Sequence, residues 1–284
     1  MSALTTALAV MVSPAAAAAS AKTPDRVGLQ SRLDDIVAAG AVGGLAEVRD
    51  EHGVWRGSSG VAELDTTRAV PVDGRFRVGS ITKTVAEPPT FEPPGSAFAY
   101  SNTNYILLGQ IIEKVTGRSY GKEIKRRIIR PLRLTGTVMP RTTPRIVGPH
   151  PYGYVPKDAD SNLVDYTKMN PSVLGPGGEM ISTTSDLNQF FAALLGGRLL
   201  PGRLLAEMRT EGVVGARYGL GLAWWRDTSC GVRVYGNDGD ALAYQSWSYS
   251  TEDRRRQVTV ALTPNFRGDP DDAIDAFLDK AICG

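Results

Sequence analysis

Serine, lysine, tyrosine and asparagine, rather than histidine or cysteine, carry the chemistry this sequence can do. Ser80-Ile81-Thr82-Lys83 has the form S-x-x-K. On a helix, positions i and i+3 stand about 5–6 Å apart at Cβ, so the Lys83 ammonium would sit beside the Ser80 hydroxyl and activate it as a nucleophile. A strand-like stretch at 75–78, then Gly79, puts Ser80 at the first turn of the expected helix. There, free N–H groups and the helix dipole favour developing negative charge. Ser119-Tyr120-Gly121-Lys122 has the same form, and position is what singles out Ser80.

A second group is Tyr100-Ser101-Asn102, just ahead of another helix start. A phenol with an ordinary pKa of about 10 becomes a usable base when ammonium charge lowers it, and an asparagine offers a substrate amide both a donor and an acceptor. Taken singly, each motif equally suits a helix cap or a turn. In this order, they point to serine acyl transfer without histidine.

The remaining chemistry is bounded by what the chain has little of. His52 and His150 are its two histidines, the only positions through which a Ser-His-Asp triad could run, and Cys230 and Cys283 its two cysteines, which form no C-x-x-C pair. No cofactor and no metal is expected. Lys and Arg total 32 against 30 Asp and Glu, a balance of +2 that makes neither nucleic acid nor an anionic membrane the expected partner. A small-molecule or peptide substrate is expected instead. With 284 residues, 42% hydrophobic and 22% charged, the chain is an ordinary globular protein with a sizeable core.

Residues 1–21 read as a secretory signal peptide. The apolar run Leu4 to Val12 is broken at Pro14, and Ala19-Ser20-Ala21 fits small-residue cleavage ahead of Lys22, although Met1-Ser2-Ala3 brings no basic residue. A secreted protein is expected, with no membrane span. The oxidising setting would let Cys230 and Cys283 close a disulfide, the alternative being two buried thiols.

The elements that must position the motifs follow from periodicity. Helical spacing marks 25–39, 103–116, 119–129, 187–195, 201–208 and 269–282, with Thr183 and Asp186 forming a capping box for the fourth. Strand-like runs fall at 44–49, 54–61, 218–225, 233–235, 244–249 and 257–262, and 251–256 is a charged hairpin tip. The basic residues Lys122, Lys125, Arg126, Arg127 and Arg130 read as a solvated face, and 140–176 as an irregular, proline-rich stretch. Strands at both ends around a helical middle predict an α+β fold whose one antiparallel sheet is built from both termini. The sheet domain is expected at 22–79 and 211–284, and the helical domain at 80–210.

Phe76-Arg77-Val78-Gly79-Ser80-Ile81-Thr82-Lys83-Thr84, then the run from Pro94 through Tyr100-Ser101-Asn102 to Tyr105, and Gly178-Glu179-Met180-Ile181-Ser182-Thr183 closely resemble secreted D-alanyl-D-alanine carboxypeptidases related to class C β-lactamases. The resemblance implies a penicillin-recognising serine hydrolase. In that reading Ser80 is the acylated nucleophile, Lys83 and Tyr100 are its proton-transfer partners, and Asn102 is a ligand of the substrate amide. The third family motif, usually H-x-G, falls on Asn237-Asp238-Gly239, a stretch whose composition also suits a plain turn. The family's oxyanion hole would pair the backbone N–H of Ser80 with that of Asp240, whose side chain adds unfavourable charge.

The resemblance breaks between the first two motifs. Only residues 84–99 lie between Lys83 and Tyr100, where the family has a much longer helical connection, so the helical domain is expected to be shortened between 85 and 93. The Ser80 helix can run only to about Ala86 before Pro88-Pro89. The expected function is an exported serine acyl hydrolase, impaired, acting on peptidoglycan stem peptides, β-lactams or esters. The alternative is a degenerate protein that keeps a penicillin-binding cleft without turnover.

Overall fold

The computed structural model describes residues 26–81, 101–158, 162–224 and 228–284. The signal-peptide stretch, Lys83, Tyr100 and the shortened connection lie outside the described residues.

Helix α1 (Arg26–Gly40) leads into a hairpin of β1 (Ala41–Asp50) and β2 (Gly53–Gly60). Leu29, Leu33 and Ile36 recur on the buried side of α1. Its end is tightly packed, because a β-carbon on Gly40 would stand 2.9 Å from the Gly268 carbonyl. After the short strand β3 (Phe76–Arg77) come α2 (Asn102–Thr116) and α3 (Tyr120–Ile124), the latter running into a π-helical turn at Lys125–Ile129. The expected continuous helix over 119–129 is thus half π, with Arg130 N–H reaching Lys125 O five residues back. A small hairpin of β4 (Tyr154–Pro156) and β5 (Leu163–Asp165) breaks the proline-rich stretch read as irregular. Next come β6 (Ile181–Ser182), α4 (Thr184–Leu195), α5 (Gly202–Arg209) and β7 (Ala223–Trp224). The chain closes with β8 (Val234–Asp240), β9 (Gln245–Thr251), β10 (Gln257–Pro264) and α6 (Asp271–Cys283).

The main sheet has the order β2-β1-β10-β9-β8-β7, with every pair antiparallel, so strands from both ends of the chain meet at β1 and β10. This is the predicted α+β architecture. Both faces are covered. On one, Leu33 and Ile36 of α1 and Phe277 and Ile282 of α6 pack on Val48, Val258, Val260 and Leu262. On the other lies α4 with a polar seam: Asn188 Nδ2 donates to Glu47 Oε1 (3.1 Å) and Thr259 Oγ1 donates to Asn188 Oδ1 (2.8 Å). Arg49 and Arg56 complete the shell around the buried Glu47 carboxylate.

Two further sequence expectations need correction. The strand expected over 218–225 shrinks to β7, because Gly219 and Gly221 bend the chain: Gly219 N–H meets Leu222 O, and Gly221 takes a positive φ of 70°. The capping box is one-sided. Asp186 N–H donates to Thr183 Oγ1 (3.2 Å), but the Asp186 carboxylate accepts from Gly136 N–H (2.8 Å) and the Thr137 hydroxyl (2.7 Å).

Candidate active site

Ser80 sits on a turn that three separate segments hold. Strand β3 pairs with β6, Phe76 opposite Ser182 and Arg77 opposite Ile181, and Val78 N–H continues the ladder to Met180 O at 3.0 Å. Arg77 is fully buried with no ion pair among the described residues, and its Nη2 donates to the carbonyls of Pro144 (2.9 Å), Thr167 (3.2 Å) and Met169 (3.3 Å). Burial lowers its pKa. One guanidinium therefore ties the proline-rich stretch to the strand that delivers the serine.

Gly79 then takes φ +52°, a conformation that disfavours a side chain, and Ile81 N–H closes on Val78 O at 3.2 Å to form a 3-10 turn. The buried Val78 and Ile81 anchor the turn on either side of the half-buried Ser80.

Strand β8 lies directly against this turn. A β-carbon on Gly239 would fall 2.0 Å from Val78 O and 2.8 Å from Ser80 N, and one on Gly79 would fall 2.7 Å from Asp240 N. Bare backbone meets bare backbone, with the amides of Ser80 and Asp240 in one neighbourhood. Two preorganised N–H donors aimed at one oxygen need such an arrangement. Gly178 backs the turn from the third side, 3.5 Å by the same measure from Gly79 C, and the buried Ser246 hydroxyl of β9 donates to Val78 O at 3.2 Å.

Residues 236–240, whose composition also suited a turn, are strand. Alternation puts the buried Asn237 and Gly239 on the Ser80 side and the exposed Asp238 and Asp240 side chains on the other. The Asp240 carboxylate is engaged in the β8–β9 turn, accepting from Leu242 N–H (2.7 Å) and, more weakly, from Gln245 Nε2 (3.4 Å). The charge expected at an oxyanion is thus drawn into a turn.

Asn237 has little freedom. Its Nδ2 reaches Gly221 O at 3.5 Å, its Oδ1 accepts from Asp238 N–H at 3.1 Å, and its side chain hydrogen-bonds Tyr218. Tyr218 in turn bonds the Tyr105 hydroxyl of α2 at 2.8 Å. Burial raises the Tyr218 pKa. Asn102 is the exposed first residue of α2, behind a cap in which Ser101 Oγ accepts from Thr103 N–H at 3.3 Å.

The structure therefore joins Ser80, Gly239 and Asp240 through backbone contact and sets Asn237 on the same strand. Asn102 stands one helical turn before Tyr105. Sequence reasoning missed Tyr105, Tyr218 and Gly178. The Tyr218-Gly219-Leu220-Gly221 run was the available signal, since two glycines in four residues argue against a regular strand.

The expected disulfide is present, Cys230 to Cys283 with Cα atoms 5.7 Å apart. It lines a surface cleft of about 720 Å³ with Val232, Arg256 and Ile282; Ser80, Asn102, Asn237 and Gly239 are not among the lining residues. No helix among the described residues is long and apolar enough to cross a membrane.

The beta-lactamase family signature matches residues 85–283, opening just beyond Lys83. The chain is similar to a D-stereospecific amidohydrolase from Streptomyces sp., with a TM-score of 0.77 and 30% identity over 89% of this chain and 98% of that one. It shares its fold with a D-amino acid amidase from Ochrobactrum anthropi SV3, solved with L-phenylalanine amide (TM-score 0.77, 22% identity, 91% and 99% covered). Protein flp of Staphylococcus aureus strain N315 is 34% identical over 30% of this chain, a stretch that spans only 17% of that protein's length. Penicillin-binding protein 4* of Bacillus subtilis strain 168 is 34% identical over 36% of this chain and 24% of its own. The chain belongs to the beta-lactamase family of penicillin-recognising serine hydrolases.

Proposed function

We propose that this chain is a serine acyl hydrolase in which Ser80 forms an acyl-enzyme with small amide, peptide, β-lactam or ester donors. The observation that carries the reading is the seat of Ser80: a tight turn pressed backbone to backbone against Gly239 and Asp240. In the proposed cycle Ser80 Oγ attacks the acyl carbon, Lys83 and Tyr100 take its proton and return it to the leaving group, and the Ser80 and Asp240 N–H groups hold the oxyanion. Asn102 receives the substrate amide. Water then cleaves the ester.

Among these donors, amides of D-configured amino acids and D-Ala-D-Ala peptides are the first to test, in keeping with the similarity to a D-stereospecific amidohydrolase. Export belongs to the same reading, supported by the leader-like residues 1–21 and by the disulfide. The shortened connection between Lys83 and Tyr100 makes the enzyme slow. The test is labelling with a fluorescent penicillin together with hydrolysis of D-phenylalanine amide, each compared with Ser80→Ala. Labelling and turnover that vanish in the variant support the reading. Labelling that survives the variant, or no turnover of any donor class, would refute it.

A further inference from the structure

Helix α2 carries Asn102 and begins two residues after Tyr100, and few of its residues are buried. Of its residues Asn102–Thr116, only Tyr105 and Gly109 are buried. Gly109 faces Pro176 and Tyr120, and a β-carbon there would meet the Pro176 ring at 2.5 Å. That contact secures the middle of the helix. In the N-terminal turn Tyr105 is the buried residue.

Tyr105 belongs to a chain of hydrogen bonds that reaches from α2 to β8. Asn237 Oδ1 accepts from a backbone N–H, and its Nδ2 donates to a backbone carbonyl, which fixes which end of the amide is nitrogen. Its side chain also hydrogen-bonds the Tyr218 hydroxyl. Tyr218 Oη in turn lies 2.8 Å from Tyr105 Oη, a hydrogen bond that either hydroxyl can donate. The order runs from Asn237 to Tyr218 to Tyr105, from β8 to α2, in surroundings where Asn237 is 4% and Tyr105 2% exposed. At such burial a hydrogen bond is electrostatically stronger than in water, and losing one member leaves its neighbours unsatisfied.

We propose that Tyr218 is a positioning residue for the Ser80 reaction: held by Asn237 and bonded to Tyr105, it docks the first turn of α2, and with it Asn102, onto the strand that carries Gly239 and Asp240. The inference rests on Ser80 as nucleophile for its catalytic half and on the fold alone for its docking half. It also gives Asn237 a mechanical task.

Both halves can be tested on the whole chain with Tyr218→Phe. Amide hydrogen exchange of residues 105–108 should speed up at least tenfold, while amides of β10 keep their protection. Acylation by a fluorescent penicillin, counted per titrated active site, should slow at least tenfold; a role in stability alone would lower the number of active sites and leave the rate per site unchanged. Tyr105→Phe should slow acylation as much, and the double variant little more, because the two share one link. If Tyr218→Phe does not fold, Asn237→Leu carries the same expectations. Exchange at 105–108 within twofold of the unmodified protein overturns the docking, whatever the activity. Acylation per site at the unmodified rate overturns the catalytic half while leaving Ser80 as nucleophile. Failure of the unmodified protein to acylate at Ser80 instead refutes the nucleophile reading and the catalytic half with it, and the exchange data still decide the docking.

Discussion

Gly79 lies so close to Asp240 that a β-carbon on it would stand 2.4 Å from the Asp240 carbonyl oxygen, and its φ of +52° disfavours a side chain independently. Gly79→Ala combines left-handed strain with overpacking and should lower unfolding free energy by about 2–4 kcal/mol. The shift would also part the amides of Ser80 and Asp240. Acylation of the folded fraction should fall on the order of 100-fold, the scale of losing one oxyanion donor, in a stopped-flow penicillin assay.

The Asp240 carboxylate caps Leu242 N–H at a residue held at φ +66°. Asp240→Asn keeps an acceptor for that bond and removes an exposed charge that points away from Ser80, so acylation should stay within about twofold with the melting temperature unchanged. Asp240→Gly loses the cap, about 1 kcal/mol by analogy with other side-chain caps. Comparing the two variants by thermal melts and penicillin labelling separates charge from turn geometry.

Glu179 is 1% exposed; its Oε1 accepts from the Tyr120 hydroxyl at 2.8 Å, and its Oε2 has no hydrogen-bond partner among the described residues. Burial raises its pKa above the ordinary 4.5, an effect only partly offset by the Tyr120 bond, the Arg141 charge and the Arg141 backbone. Between those two values the native state keeps a proton that the unfolded chain has lost. This group's contribution to stability therefore falls as pH rises through about 4.5 toward the native pKa and is level beyond it. Glu179→Gln retains an acceptor for Tyr120 and removes the titration. Urea melts from pH 4 to 8 should show the stability of the original chain declining relative to the Gln variant.

Cys230 and Cys283 are 53 residues apart in sequence, and closing such a loop stabilises by about 4 kcal/mol in the chain-entropy model. Ser229 holds the same join through Asp279, at 2.7 Å from its N–H and 2.6 Å from its hydroxyl. Cys230→Ser with Cys283→Ser should therefore lower the melting temperature by roughly 10 °C yet leave acylation per site intact. Calorimetry and site titration check both.

On α2, Ile106 (41%), Leu107 (51%), Ile111 (56%) and Val115 (79%) are exposed, the apolar surface expected if the shortened connection removes a covering layer. Concentration-dependent self-association should appear in sedimentation velocity runs. Ile111→Lys with Val115→Lys should reduce it, with little change in the melting temperature because neither side chain is buried.

What could be read along the chain was local periodicity and motif order. Leu29, Leu33 and Ile36 repeat with the helical turn, and Gln257 to Leu262 is rich in β-branched residues, so α1 and β10 were legible, and the sheet built from both ends followed from where such runs fall. The turn that carries Ser80 was legible because Gly79 follows a strand-like stretch directly in sequence. Tertiary structure decided whatever depends on a partner far along the chain. Asp186 fits a capping box by spacing, yet its carboxylate turns to Gly136 and Thr137, which packing alone brings near. Asn237 resembles a substituted catalytic position, and only the folded chain sets it beside Tyr218 and, through it, Tyr105, 113 residues from Tyr218 in sequence. A hydrogen bond across such a distance leaves no period in the sequence, because its geometry belongs to the way α2 meets the loop at Tyr218 and not to either segment.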